Sequence, residues 1–184
     1  MKSLRHDWLP TAANIVGYQL AWVACVAGAG NGMAWLGPVA ALAFVAGTLA
    51  LGGKRNADLR ALAVVVPMGL AMDSMFAASG WLNYAQAWPW PQLAPSWIWA
   101  LWAAFAMTLN HSLSFLDDRP WLAALFGLVG GPLAYWAAAG TFGAVEFGAP
   151  LAWIIAALAL AWALLMPLLI TLNRRLAGST EVIA

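Results

Sequence analysis

The chain has 184 residues, 64% of them hydrophobic and only 8% charged, with a formal net charge of +1 and a mean hydropathy of +0.80. A chain this apolar cannot present a water-soluble surface, and its near-neutral charge offers neither a basic face for nucleic acid nor an acidic tail. A membrane span takes about 20 apolar residues, so the length holds about six spans with short connections in one integral domain, residues 1–184, and excludes a separate soluble domain.

The segment up to Pro10 is polar, with Lys2, Arg5, His6 and Asp7, and the first span follows at residues 11–29. A basic start before an apolar run also fits a signal peptide. Trp22 stands where an aliphatic residue is expected, however, and Asn14, Tyr18 and Gln19 interrupt the apolar core, so the segment is read as a retained span. Gly28, Gly30 and Gly32 mark a turn, and a second span covers 33–51. The polar loop GGKRNAD, 52–58, leads into a third span at 60–79. Residues 80–96, GWLNYAQAWPWPQLAPS, are too rich in proline for a span and too apolar for open water, which predicts an interfacial loop or a short surface-lying helix with Trp and Tyr at headgroup depth. The fourth span, 97–115, carries Asn110, His111, Ser112 and Ser114 in its last two turns and stops at Asp117, Asp118, Arg119 and Pro120. The fifth covers 121–139, a loop at 140–149 contains Glu146, and the sixth covers 150–172 before Asn173, Arg174, Arg175 and a frayed polar tail after Ala177. The expected fold is all-α, a polytopic membrane helix bundle with six transmembrane helices.

Charge sets the orientation, because cytoplasmic loops hold the excess of Lys and Arg. Lys2, Arg5, Lys54, Arg55, Arg60, Arg119, Arg174 and Arg175 are all the basic residues, and alternate loops place every one on the same side. Both termini are therefore expected in the cytoplasm, with Glu146 the only charge opposite. A bacterial inner (plasma) membrane protein, multi-pass, fits this pattern. No internal repeat supports an inverted-repeat transporter.

Asp73 is the only acidic residue well inside a span, and a charged group at such depth costs about 2.5–3.5 kcal/mol on insertion scales. It is either a proton-transfer group or anchor for a polar substrate group, or a protonated carboxyl bonded to a neighbouring helix. His111, with an ordinary pKa of about 6.5, is the second candidate acid–base group; the alternative is a structural histidine satisfied by Asn110, Ser112 and Ser114. At 1.5 Å per residue, Asp73 lies about 20 Å from the cytoplasmic end and Tyr135 about 21 Å, so the two can touch. His111 lies about 8 Å in, near Asn14 and Tyr18. One polar cleft with two layers is expected, in which Asp73 and His111 are catalytic while Asn14, Tyr18, Gln19, Trp22, Asn110, Ser112 and Tyr135 bind substrate.

Asn14, Tyr18, Trp22 and Cys25 share one helical face, as do Ala123, Gly127, Gly131 and Tyr135. Each face either lines a cavity or forms a packing seam, and Gly127 to Gly131 is a small-xxx-small contact. Pro132 is placed to bend its helix beside Tyr135. Asp117 and Asp118 fit a helix-ending pair balanced by Arg119 better than a magnesium site. Cys25 is alone, and no phosphate loop, nucleophile elbow or zinc signature is present, so neither metal nor cofactor is expected. The 13 tryptophans are mainly interfacial anchors and packing groups.

NIVGYQLAWVAC at 14–25, GLAMDSMFAASG at 69–80, LWAAFAMTLNHSLSFL at 101–116 and WLAALFGLVGGPLAY at 121–135 together resemble the domain-of-unknown-function 2878 family of small bacterial inner-membrane proteins. The resemblance implies that Asn14, Gln19, Trp22, Asp73, Ser74, His111, Ser112, Gly130, Gly131, Pro132 and Tyr135 are family-type positions, and it brings no assigned activity. Genes of the family often lie near cyclopropane-fatty-acid-synthase-like methyltransferases, which implies a place in membrane lipid modification and a lipid-modifying methyltransferase as partner. The expected function is thus action on, or assistance with, modification of a lipid or other apolar molecule. A small transporter or proton-coupled carrier and a membrane scaffold for a soluble lipid enzyme are the alternatives.

Overall fold

The computed structural model describes residues 8–181, with side chains through 176. Lys2, Arg5, His6 and Asp7 lie outside the described residues. Six helices stand where six apolar runs were read: α1 (Trp8–Gly30), α2 (Leu36–Leu51), α3 (Arg55–Ala78), α4 (Ser96–Leu109), α5 (Pro120–Gly140) and α6 (Leu151–Glu181). Four of them, α1, α3, α5 and α6, are long and apolar enough to cross a membrane. The other two are short apolar helices, α2 of 16 residues and α4 of 14. Leucines and tryptophans such as Leu20, Leu42, Trp136, Leu160 and Leu164 stand exposed on the outer surface, the pattern expected of a protein solvated by acyl chains.

Three boundaries depart from the sequence reading. Helix α3 begins at Arg55, inside the stretch read as a polar loop, so Asp58 sits in its first turn and is fully buried. Helix α4 ends at Leu109, and Asn110, His111 and Ser112 occupy the turn beyond it, before a 3-10 turn at Ser114–Leu116. Asparagine and serine side chains that find partners off the helix compete with helical continuation, and Asn110 and Ser112 have such partners (below). Helix α6 continues through Glu181, past the point where fraying was expected.

The fourth departure qualifies the all-α expectation. Residues 80–96 form neither a loop alone nor a helix: β1 (Leu82–Tyr84) pairs antiparallel with β2 (Val145–Phe147) from the loop after α5, with Asn83 opposite Glu146. Alternation sends Leu82 and Tyr84 inward and Asn83 outward. The pairing continues one residue past each end of the ribbon, with Ala85 N–H to Ala144 O at 2.9 Å and Gly148 N–H to Trp81 O at 3.0 Å. Ala or larger at Gly148 would strike the Gly80 carbonyl, which holds the two loops in close contact.

The helices form an open arc. Helix α4 is central, packed on α1, α2 and α3; α3 continues to α6, and α6 to α5. Nine of the 14 residues of α4 are buried, which allows a helix shorter than a span to sit inside the bundle without meeting headgroups. Helices α1 and α5, at the two ends of the arc, do not pack closely on each other. One end of the bundle carries the ribbon; the other gathers Lys54, Arg55, Arg119 and Arg174.

Candidate functional site

The site starts from the buried stripe of α3. Asp58, Ala61, Val65, Gly69, Asp73 and Ala77 follow one another at three or four residues and are all buried. Gly69 leaves room for a large neighbour: a Cβ there would lie 2.0 Å from the Trp102 indole. The indole fills that space and points its Nε1 at Asp73 Oδ2, 2.5 Å away. Tyr84, brought in by the ribbon, donates its hydroxyl to Asp73 Oδ1 at 2.7 Å, and Tyr135 on α5 donates to the same oxygen. Asp73 is fully buried and therefore accepts from three donors on three different elements. Indole N–H can only donate, so Oδ2 is an acceptor, whereas the two tyrosine hydroxyls at Oδ1 can each donate or accept.

A second indole continues the wall. Trp162 on α6 stacks on Trp102 with ring centroids 5.1 Å apart and planes at 13°. Phe105 meets both edge-on, at 5.6 and 5.7 Å, and Tyr18 approaches Phe105 at 5.9 Å. Trp162 is seated by α5: a Cβ on Gly127 would lie 2.2 Å from the Trp162 carbonyl oxygen and one on Gly131 2.3 Å from its Cγ. The small-xxx-small face of α5 is thus the seam to α6. Gly127→Ala meets backbone, which cannot rotate away, so the helices must separate; the expected loss is about 1–3 kcal/mol, read as a lower thermal midpoint in detergent. The Trp162 Nε1 is buried beside the Tyr135 hydroxyl without a well-formed hydrogen bond.

These groups form one wall of a cleft of about 550 Å³ between α1 and α5, floored by α4. That size falls in the range of small-molecule sites. Tyr18, Gln19 and Trp22 line it from α1, Asp73 from α3, Ser112 from the turn after α4, and Tyr135 from α5. Its rim includes Ile15, Phe126 and Leu133, all exposed on the apolar outer surface. Helix α5 runs unbroken through Pro132 along this wall.

Asn14, Asn110 and His111 are elsewhere. Asn14 donates to the Met107 carbonyl at 3.0 Å and accepts from Ser112 Oγ at 2.6 Å, fastening α1 to the end of α4. At the basic end, His111 Nε2 lies 3.0 Å from Asp58 Oδ2, and Asn110 Nδ2 donates to Asp58 Oδ1 at 3.0 Å. Asn173 on α6 donates to Asn110 Oδ1 at 2.8 Å, and Lys54 donates to the Asn110 carbonyl. Fifteen residues separate Asp58 from Asp73 on one helix, a rise of about 22 Å. His111 therefore does not share a recess with Asp73, and the two-layered single cleft resolves into two polar clusters at opposite ends of α3. Asp118 pairs with Arg174 rather than Arg119, and burial pushes the Asp117 carboxyl above its ordinary range against the pull of Arg174.

Sequence reasoning brought Asp73 and Tyr135 together and missed Tyr84, Trp102, Trp162 and Asp58. Gly69, one turn before Asp73, was the available sign of a bulky partner on that face. No curated protein and no solved structure matches the chain. A family model described as protein of unknown function (DUF2878) matches residues 11–168, and the chain belongs to that family.

Proposed function

We propose that the protein is a multi-pass protein of the bacterial inner membrane, with six crossing helices and both termini in the cytoplasm. It takes a lipid or another apolar molecule sideways from the bilayer, and it serves membrane lipid modification as an enzyme or accessory subunit. The cleft carries this reading: its walls are mostly apolar, its rim lies on the surface that meets acyl chains, and a single carboxylate stands on the wall at the ribbon end. An apolar chain would lie along α4, about 21 Å for its 14 residues, with the polar end at Asp73. One-sided placement of the basic residues supports the orientation. In the enzyme form of the proposal Asp73 holds the polar end of the substrate. The Asp58–His111 pair fixes the turn after α4 and with it Ser112 on the cleft wall.

Comparative lipidomics tests the reading. Deleting the gene should change an acyl or headgroup species; the wild-type gene should restore the profile, and Asp73→Asn, at equal amounts of folded protein, should not. An unchanged lipid profile on deletion removes the lipid reading, and restoration by Asp73→Asn removes the role given to Asp73.

A further inference from the structure

The cleft has one charge and many ring faces, and that combination selects a ligand. Asp73 takes part in no ion pair, and among the described residues no Lys, Arg or His lines the cleft. Its three partners donate without supplying positive charge. A carboxylate offers about four acceptor sites, and three are used. Around it, Tyr18, Trp22, Phe105, Trp162 and Phe126 all line the same space, and aromatic faces attract a cation most strongly where water is excluded. An anionic head would face an uncompensated carboxylate in a low-dielectric wall. A neutral alcohol could bond to Asp73 but would gain nothing from the rings. A bare divalent metal needs several oxygen ligands, and among the described residues Asp73 is the only carboxylate on the wall.

Resting on the cleft reading above, we infer that the molecule bound there carries a cationic head, an alkylammonium group on an apolar chain, with the head between Asp73 and the aromatic wall and the chain along α4. The charge of Asp73 and the ring faces recognise the head; Ile15, Phe126 and Leu133 at the rim pass the chain.

The test uses the purified full chain in neutral maltoside micelles and three probes at equal mole fraction: dodecyltrimethylammonium, dodecanol and tetramethylammonium. Dodecyltrimethylammonium should raise the thermal midpoint more than dodecanol, and tetramethylammonium should have little effect. Asp73→Asn should weaken apparent affinity for the long-chain cation about tenfold and remove the preference over the alcohol. Phe105→Leu, which keeps an apolar side chain but removes a ring face, should reduce the preference with Asp73 intact, so the inference does not depend on one variant folding. Equal stabilisation by cation and alcohol overturns the cationic head and leaves the cleft reading standing. No stabilisation by either long-chain probe overturns the cleft reading itself. A tetramethylammonium effect as large as that of the long-chain cation assigns the site to a free ammonium solute and overturns the chain-borne ligand, and a preference that survives in Asp73→Asn overturns the recognition role of that residue.

Discussion

Asp73→Leu is expected to lower the stability of the protein by about 3–5 kcal/mol. Leucine approximates the volume of the aspartate but accepts no hydrogen bond, so the Tyr84 hydroxyl, the Tyr135 hydroxyl and the Trp102 indole N–H lose their acceptor together. Each orphaned buried donor costs about 1–3 kcal/mol. The three share one carboxylate and are not independent, which places the total toward the lower part of the summed range. The consequence is spatial as well as energetic, because the three donors come from the ribbon, α4 and α5. With the carboxylate gone, the ribbon segment is held to α3 only by its packing and the bond from the Ala94 N–H to Ser74 Oγ, and the cleft wall loosens with the fold.

Asp73→Asn separates charge from shape. The indole of Trp102 can only donate, so the amide must turn its oxygen toward Trp102 and its nitrogen toward the two tyrosines. Their hydroxyls can rotate to accept. The asparagine variant should therefore stay within about 1–2 kcal/mol of wild type while lacking the charge that a cationic head would need. Thermal unfolding of the leucine and asparagine variants side by side checks the argument. Equal losses in both would mean that charge, not acceptor geometry, holds the cage.

The helices were legible because each is long or apolar enough to stand out from its neighbours, and Asp73 was legible because a lone acidic residue in an apolar run has no ordinary reason to be there. Its contact with Tyr135 followed from depth alone, since two helices entering from the same side at 1.5 Å per residue bring those positions to one level. The ribbon was hidden: three-residue strands carry too little alternation to be read, and the partner of LNY at 82–84 lies about sixty residues later in the chain. With the ribbon went Tyr84. Trp102 was lost among the 13 tryptophans, most of which read equally well as interfacial anchors. Asp58 was misplaced for a different reason. It follows Lys54, Arg55 and Asn56, and a local run of polar residues reads as a loop, yet the spacing back from Asp73 through Gly69, Val65 and Ala61 reaches it in steps of three and four. The buried stripe, followed to its end, would have placed it inside the bundle and supplied the partner that His111 lacked.

Asp58→Ala should be the second large loss, about 2–4 kcal/mol, and it should leave the cleft's ligand preference intact. Asp58 is fully buried and satisfies both Asn110 Nδ2 and His111 Nε2. Alanine orphans both groups and frees Asn110 to release Asn173, so α3, the turn after α4, and α6 come apart at the basic end. Packing supports the size of the effect, because the His111 ring sits against Gly52, where a Cβ would lie 2.8 Å from its Cε1; a ring released from Asp58 has no second seat. Asp58→Asn keeps an acceptor for one partner, and His111 can present either a donor or an acceptor at Nε2, so the asparagine variant should recover most of the loss. The two carboxylates then behave in opposite ways. Asp58→Ala lowers the unliganded midpoint while the long-chain cation adds the same increment as in wild type, whereas Asp73→Asn changes the midpoint little and cuts the cation's increment to that of the alcohol. An Asp58→Ala protein that folds but no longer distinguishes the cation from the alcohol would mean that the pair at the basic end reaches the cleft after all, through Ser112 at the end of its wall.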